Sequence, residues 1–138
     1  FGKEFLDARY DRINADITDL YKKAKELGLS TKQEEHVLYL DPHEYGPDRT
    51  RLEISLILSK LPKTIPDGYF AKKIPAQKVL TYLYQGPYEY LTFVHKEMYA
   101  IAKKKGFLKG YSFDIHTNGP LDTASEYDYE TLVGYPME

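Results

Sequence analysis

The chain has 138 residues, no Cys, no Trp and a formal net charge of −2, since 19 basic residues oppose 21 acidic ones. This length predicts one domain, residues 1–138, large enough to bury its own core, and the absent Cys excludes disulfides and thiol chemistry. The near-neutral balance argues against nucleic acid or an anionic membrane as a partner, and no apolar run approaches the ~20 residues of a membrane helix, so we expect a cytoplasmic protein. The 14 Tyr are the unusual feature, because Tyr joins an apolar ring to a polar hydroxyl.

The spacing of apolar residues predicts seven strands and two helices along the chain. In chain order these are strand 4–10, helix 14–27, strands 36–40, 51–58, 69–74 and 78–84, helix 87–105, and strands 110–116 and 127–135. Asn14 or Asp16 can cap the first helix, and Gly28 suits its left-handed end. Pro87 fits the first turn of the second helix, and Gly106 its end.

The order of these elements repeats. A strand, a helix ending in Gly and two strands occur in residues 4–58 and again in 77–137. Neither half can cover a sheet face alone, so the halves are expected to join into one α+β domain. In it, duplicated β-α-β-β modules form an antiparallel sheet with two helices on one face.

Two groups of polar residues can be interpreted either as functional or as ordinary solvent-exposed residues. Asp114 and His116 share one side of a strand, where they could pair or form a solvent-facing edge. The second group lies in and near a polar turn, which could hold a metal ion or simply be solvated. We predict neither a metal nor a cofactor. The candidate ligands are His36, Asp41, His43 and Glu44.

Glu130 is the most informative acid. It lies in the middle of a predicted strand, on the same side as Leu132 and Gly134. Burying a carboxylate there costs roughly several kcal/mol unless it is paired. Glu130 is therefore either at an exposed edge or buried for a functional reason. Tyr walls around one carboxylate would suit a flat cationic ligand through stacking and cation–π contact. The residues alone leave a functional and a surface Glu130 open.

Three stretches carry a resemblance to a known family. They are residues 74–91 with the turn Gly86-Pro87-Tyr88 before the second helix, residues 39–42 with 51–53, and residues 129–138. Together they resemble the gyrase-inhibitor-like (GyrI-like) small-molecule-binding family over nearly the whole chain. Members occur as effector-binding parts of multidrug-responsive regulators and as stand-alone proteins. The chain departs from the family in lacking Trp.

The resemblance implies a central groove between the two halves of the domain. Regulator members use a buried Glu ringed by aromatics to bind lipophilic cations, and Glu130 matches that position. A chain of this length leaves no room for a helix-turn-helix module, so we expect a stand-alone member without direct DNA binding.

The leading hypothesis is a binder of planar, hydrophobic, often cationic small molecules. Glu130 would supply the charge, and the walls would be Tyr39, Tyr69, Tyr82 or Tyr84, Tyr111 and Phe113. The alternative is a hydrolase of cyclopropane-bearing genotoxic natural products, as in some stand-alone members, with Glu130 as general base and the Tyr111 hydroxyl as donor. A protein-interaction module that binds a topoisomerase or a regulator ranks lowest, because the chain offers no acidic run or spare apolar stripe.

Overall fold

The computed structural model describes residues 1–40, 49–107 and 111–138. These contain strands and helices in the order β1 Gly2–Arg9, α1 Ile13–Glu26, β2 Thr31–Tyr39, β3 Arg49–Leu58, β4 Val79–Gln85, α2 Leu91–Lys105, β5 Phe113–Asn118 and β6 Glu130–Pro136. The strand pairs within each half are antiparallel. The predicted α+β class is therefore confirmed. Neither helix in the described ranges has the length and apolar character needed to cross a membrane.

The chain divides into two compact units, unit 1 from Phe1–Pro75 and unit 2 from Ala76–Glu138. This boundary lies between the two predicted repeats, 4–58 and 77–137. Each unit has the order β-α-β-β along the chain, and its last strand lies in the middle: β1-β3-β2 in unit 1 and β4-β6-β5 in unit 2. The shared strand order supports a structural duplication, whereas a single domain over 1–138 stays a prediction.

Unit 1 is built on apolar packing of α1 against its strands. The helix buries Ile17, Leu20 and Ala24, and the strands contribute Val37, Leu52, Ile54 and Leu56. Gly28 ends the helix with φ 68°, and the next amide, of Leu29, donates to the Ala24 carbonyl at 2.9 Å.

The predicted cap of α1 was wrong. Arg12 holds the cap position, and no side chain bonds the first helical amides there. The reason is the 3₁₀ turn Tyr10–Arg12, which runs directly into the helix and leaves Asn14 and Asp16 inside its first turn.

Unit 2 packs α2 against the middle strand β6. The helix contributes Leu91, Met98 and Ala102, and β6 contributes Val133 and Tyr135. Pro87 precedes a 3₁₀ turn, Tyr88–Tyr90, so the α-helix begins at 91 rather than 87. Gly106 ends it with φ 104°.

The predicted strand 69–74 is wrong. Only Phe70 bridges to Gly2, through two backbone hydrogen bonds of 2.9 Å. The last predicted strand, 127–135, begins late, because Glu126–Asp128 forms a 3₁₀ turn and β6 starts at Glu130. Alternating apolar residues mark a strand only where a partner backbone is available, which a local pattern cannot reveal.

Candidate functional site

Alternation along β6 separates two faces of unit 2. Val133 and Tyr135 pack against α2, so Glu130, Leu132 and Gly134 point to the opposite side. Leu132 is paired with Leu83 of β4 and with Ile115 of β5. We call this side the distal face, and its residues are Leu83, Phe113, Ile115, Thr117, Glu130, Leu132 and Gly134.

Glu130 is held in place at one end of the distal face. The Thr117 hydroxyl donates to Glu130 Oε1 at 2.9 Å and also approaches the Glu130 carbonyl at 3.3 Å. The side chain is half-buried, and no Lys, Arg or His forms an ion pair with it within the described residues. The carboxylate is therefore oriented, partly shielded from water and able to accept further bonds.

An apolar strip extends from Glu130 along the distal face. Leu132 and Ile115 are half-buried, and Leu83 is 56% exposed. At the far end Phe113 is buried with its ring over Gly134, where any Cβ would overlap the ring. Gly134 lies four positions along the strand from Glu130, about 13 Å away. The distal face thus has a charged end and an aromatic end, with exposed apolar surface between them.

Two of the three predicted tyrosines of unit 2 lie on the α2 side. Tyr84 packs with the α2 cluster, and its hydroxyl donates to the Pro87 carbonyl at 2.8 Å. Tyr82 is paired with Val133, which places it on the α2 side, and it is 52% exposed. Tyr111 precedes β5 and is 48% exposed. Within unit 2, the structure therefore brings Phe113 and Glu130 to one face and places Tyr82 and Tyr84 on the other.

The two predicted tyrosines of unit 1 pack within that unit. Tyr39 lies against the core beneath α1. Tyr69 stacks on Phe1 with ring centroids 5.2 Å apart and planes 9° from parallel. Both rings have a packing role, and their part in ligand binding stays a prediction.

Sequence reasoning missed a polar network between α2 and β5. His95 Nε2 lies 2.8 Å from Asp114 Oδ1, and its Nδ1 lies 2.8 Å from the Tyr135 hydroxyl. That hydroxyl also approaches the His95 carbonyl at 3.0 Å, as a donor. Asp114 has no exposed surface, so the network holds a carboxylate in the interior, and burial raises the pKa of Tyr135.

Of the two interpretations of Asp114 and His116, the solvent-facing edge was wrong, because both are buried on the α2 side. Burial lowers the pKa of His116, and the nearby Asp114 charge opposes that shift only partly. The His116 ring stacks on Tyr88 at 4.9 Å, and Tyr88 meets Tyr129 at the same distance. Part of the tyrosine excess therefore serves packing on the α2 side.

No group of three His, Cys, Asp or Glu in the described ranges is arranged to hold a metal ion. His36 lies half-buried in β2. The other candidate ligands, Asp41, His43 and Glu44, lie outside the described residues.

The comparisons with known proteins concern the fold. No protein-family model and no curated protein matches the sequence. The chain is similar to the cryo-EM structure of an EcmrR–DNA complex in EcmrR-RPo, with a TM-score of 0.86 and 16% identity over 99% of this chain and 52% of that one. It is also similar to the crystal structure of the EcmrR C-terminal domain, with a TM-score of 0.84 and 16% identity over 99% and 89%.

These likenesses show the GyrI-like effector-binding domain fold. This chain spans about half the length of the EcmrR chain in the DNA complex. The DNA binding in that complex is that of EcmrR. The expectation that this chain does not itself bind DNA stays a prediction.

Proposed function

We propose that this chain binds hydrophobic, cationic small molecules on the distal face of unit 2, with Glu130 as the counter-charge. The observation that carries the proposal is the half-buried Glu130 carboxylate, which Thr117 orients and which has no ion pair in the described part of the chain. The EcmrR likeness adds that the same fold occurs in an effector-binding domain.

The energetics favour a cation at this position. A partly buried carboxylate loses hydration, and an opposite charge offsets that loss. A ligand cation beside Glu130 would place its apolar body along Leu132, Ile115 and Leu83, where burial contributes about 25 cal/mol per Å². The ~13 Å between Glu130 and Gly134 suits a flat ligand of several fused rings with its charge at one end.

Binding of rhodamine 6G, followed by fluorescence anisotropy, tests the proposal. We expect Glu130→Gln to weaken binding by about tenfold, because the variant keeps the shape and the Thr117 contact but removes the charge. Glu126→Gln is the matched control, since Glu126 is an exposed acid in the 3₁₀ turn that precedes β6. The proposal fails if Glu130→Gln binds as tightly as the parent or if both variants lose affinity equally.

A second variant tests the apolar strip. Leu132→Ser removes apolar area in the middle of the distal face and leaves Glu130 in place. We expect weaker binding of rhodamine 6G, with the salt dependence of the parent, because the charge contact is retained. An unchanged affinity would place the dye elsewhere.

The hydrolase alternative rests on the family resemblance alone. No hydrogen bond joins Tyr111 to Glu130 in the described residues, so the geometry adds no support for a shared catalytic role. Incubation with an activated cyclopropane, read by mass for addition of water, tests this alternative directly. Turnover above buffer that disappears in Glu130→Gln would establish it.

A further inference from the structure

Unit 1 contains a cavity of about 410 Å³ that the proposed function does not use. It lies where the end of β3 and the residues after it face the segment 70–74. Phe70 fixes this segment through its two backbone bonds with Gly2. The volume is within the roughly 300–1,000 Å³ range of small-molecule sites.

The cavity lining is apolar with positive charge and no acid. Lys60, Lys72 and Lys73 are its charged members. Its main apolar members are Leu56, Ile57, Leu58, Leu61, Phe70 and Ile74. A lysine can line such a wall with its methylene stem and keep its ammonium group at the opening.

The three lysines differ in whether an acidic side chain already compensates their positive charge. Lys72 donates to Glu53 Oε2 at 3.0 Å, and its Nζ lies 4.7 Å from the centre of the Phe70 ring. Lys60 and Lys73 are exposed, and neither has an ion pair or a hydrogen bond with another described residue. Within the part of the chain that the structure describes, two lysines of this apolar cavity therefore have no acidic partner.

We infer that this cavity binds a lipophilic anion, a carboxylate on a hydrophobic body. The body occupies the apolar interior, and the carboxylate meets Lys60 and Lys73. The sign of the charge decides the ligand class, because a lipophilic cation would meet two like charges and no acid in the lining.

Calorimetric titration with dodecanoate and with dodecyltrimethylammonium, which share a chain length and differ in charge, tests this inference. We expect the double variant Lys60→Gln/Lys73→Gln to weaken dodecanoate binding by about tenfold, since each exposed charge contact contributes a few-fold. The matched control is Lys25→Gln/Lys63→Gln, a pair of exposed lysines of unit 1 outside the cavity. Equal losses in both double variants, or no loss in the first, would overturn the inference.

Two further variants locate the anion. Ala71 lines the cavity, so Ala71→Phe should fill it and abolish dodecanoate binding. Unchanged binding in a folded Ala71→Phe protein would exclude the cavity. Glu130→Gln should leave dodecanoate affinity at the parental level, which separates this site from the proposed cation site in unit 2.

Discussion

The two units share a strand order but differ in how the helix is joined to the strands. In unit 1 the Tyr21 hydroxyl donates to Glu35 Oε1 at 2.8 Å, beside an otherwise apolar interface. In unit 2 His95 meets the fully buried Asp114 at 2.8 Å. The duplication has kept the topology while the polar contact between helix and strand has changed, from a neutral donor to an imidazole.

This difference predicts unequal sensitivity to substitution. Apolar packing in a core tolerates changes of similar volume, whereas a fully buried carboxylate such as Asp114 depends on the groups that bond to it. Losing His95 in unit 2 should therefore cost more stability than losing the Tyr21 hydroxyl in unit 1.

The largest expected effect is that of His95→Phe. The variant removes the His95 bond to the fully buried Asp114 carboxylate, which should lower the free energy of unfolding by about 3 kcal/mol or more. Urea unfolding measures the loss, and hydrogen exchange should place it in unit 2. The double variant His95→Phe/Asp114→Leu should recover most of the stability, because an apolar pair needs no charge partner. A loss below about 1 kcal/mol in the single variant would contradict the buried-charge account.

Gly134→Ala should have the next largest effect, about 1–3 kcal/mol of destabilisation, because the new methyl group overlaps the Phe113 ring. In unit 1 the comparable tight glycine is Gly2 on β1, where a Cβ would meet the Phe70 ring and Ser55. Urea unfolding in a Phe113→Leu background provides the control, since the smaller side chain leaves room for the methyl group. An equal cost in both backgrounds would show that the ring is not the cause.

Tyr21→Phe should cost about 1.5 kcal/mol, because the hydroxyl donates to the buried Glu35 carboxylate. The ring stays in place, and the hydroxyl loses its bonds to Glu35 and to the Lys32 carbonyl. Comparing this value with that of His95→Phe, by the same urea method, measures how far the two units have diverged. Similar losses of stability in the two variants would show that the two units do not differ in this respect.

The smallest effect concerns pH. Burial holds the pKa of His116 below its ordinary value of 6.5 in the folded chain. As pH falls through about 6.5, the unfolded state takes up a proton that the folded state does not, so stability is lost at acidic pH. His116→Phe keeps the stacked ring and removes this proton uptake. Urea unfolding at pH 7 and pH 5 should therefore show a shallower decline in the variant than in the parent, and parallel declines would contradict the assignment.

The sequence predicted the elements that have a local signature. Apolar spacing located both helices, and Gly28 and Gly106 marked their ends because a left-handed residue follows each helix. The alternation of Leu52, Ile54 and Leu56 predicted β3 and its buried side. The repeated order of elements predicted the shared topology of the two units.

The features that depend on distant partners were not predictable. Strand parity divides Asp114 and His116 from Phe113 and Ile115 but does not say which pair meets a helix. His95 and Asp114 are 19 residues apart, and no local pattern joins them. Glu130 was identified as a candidate from its place in the strand, whereas its orientation by Thr117 required the register between β5 and β6.

The strand order has a consequence for synthesis on the ribosome. Within unit 1, β1 and β2 both pair with β3, which is translated last. Gly2, for example, can pair with Ser55 only after Ser55 has been synthesised. A nascent chain that ends before residue 49 therefore contains a helix and two strands without their common partner. Such long-range pairing slows folding and leaves unpaired strand edges available to chaperones or to aggregation. Each unit should accordingly become protease-resistant in a single step, when its last strand emerges.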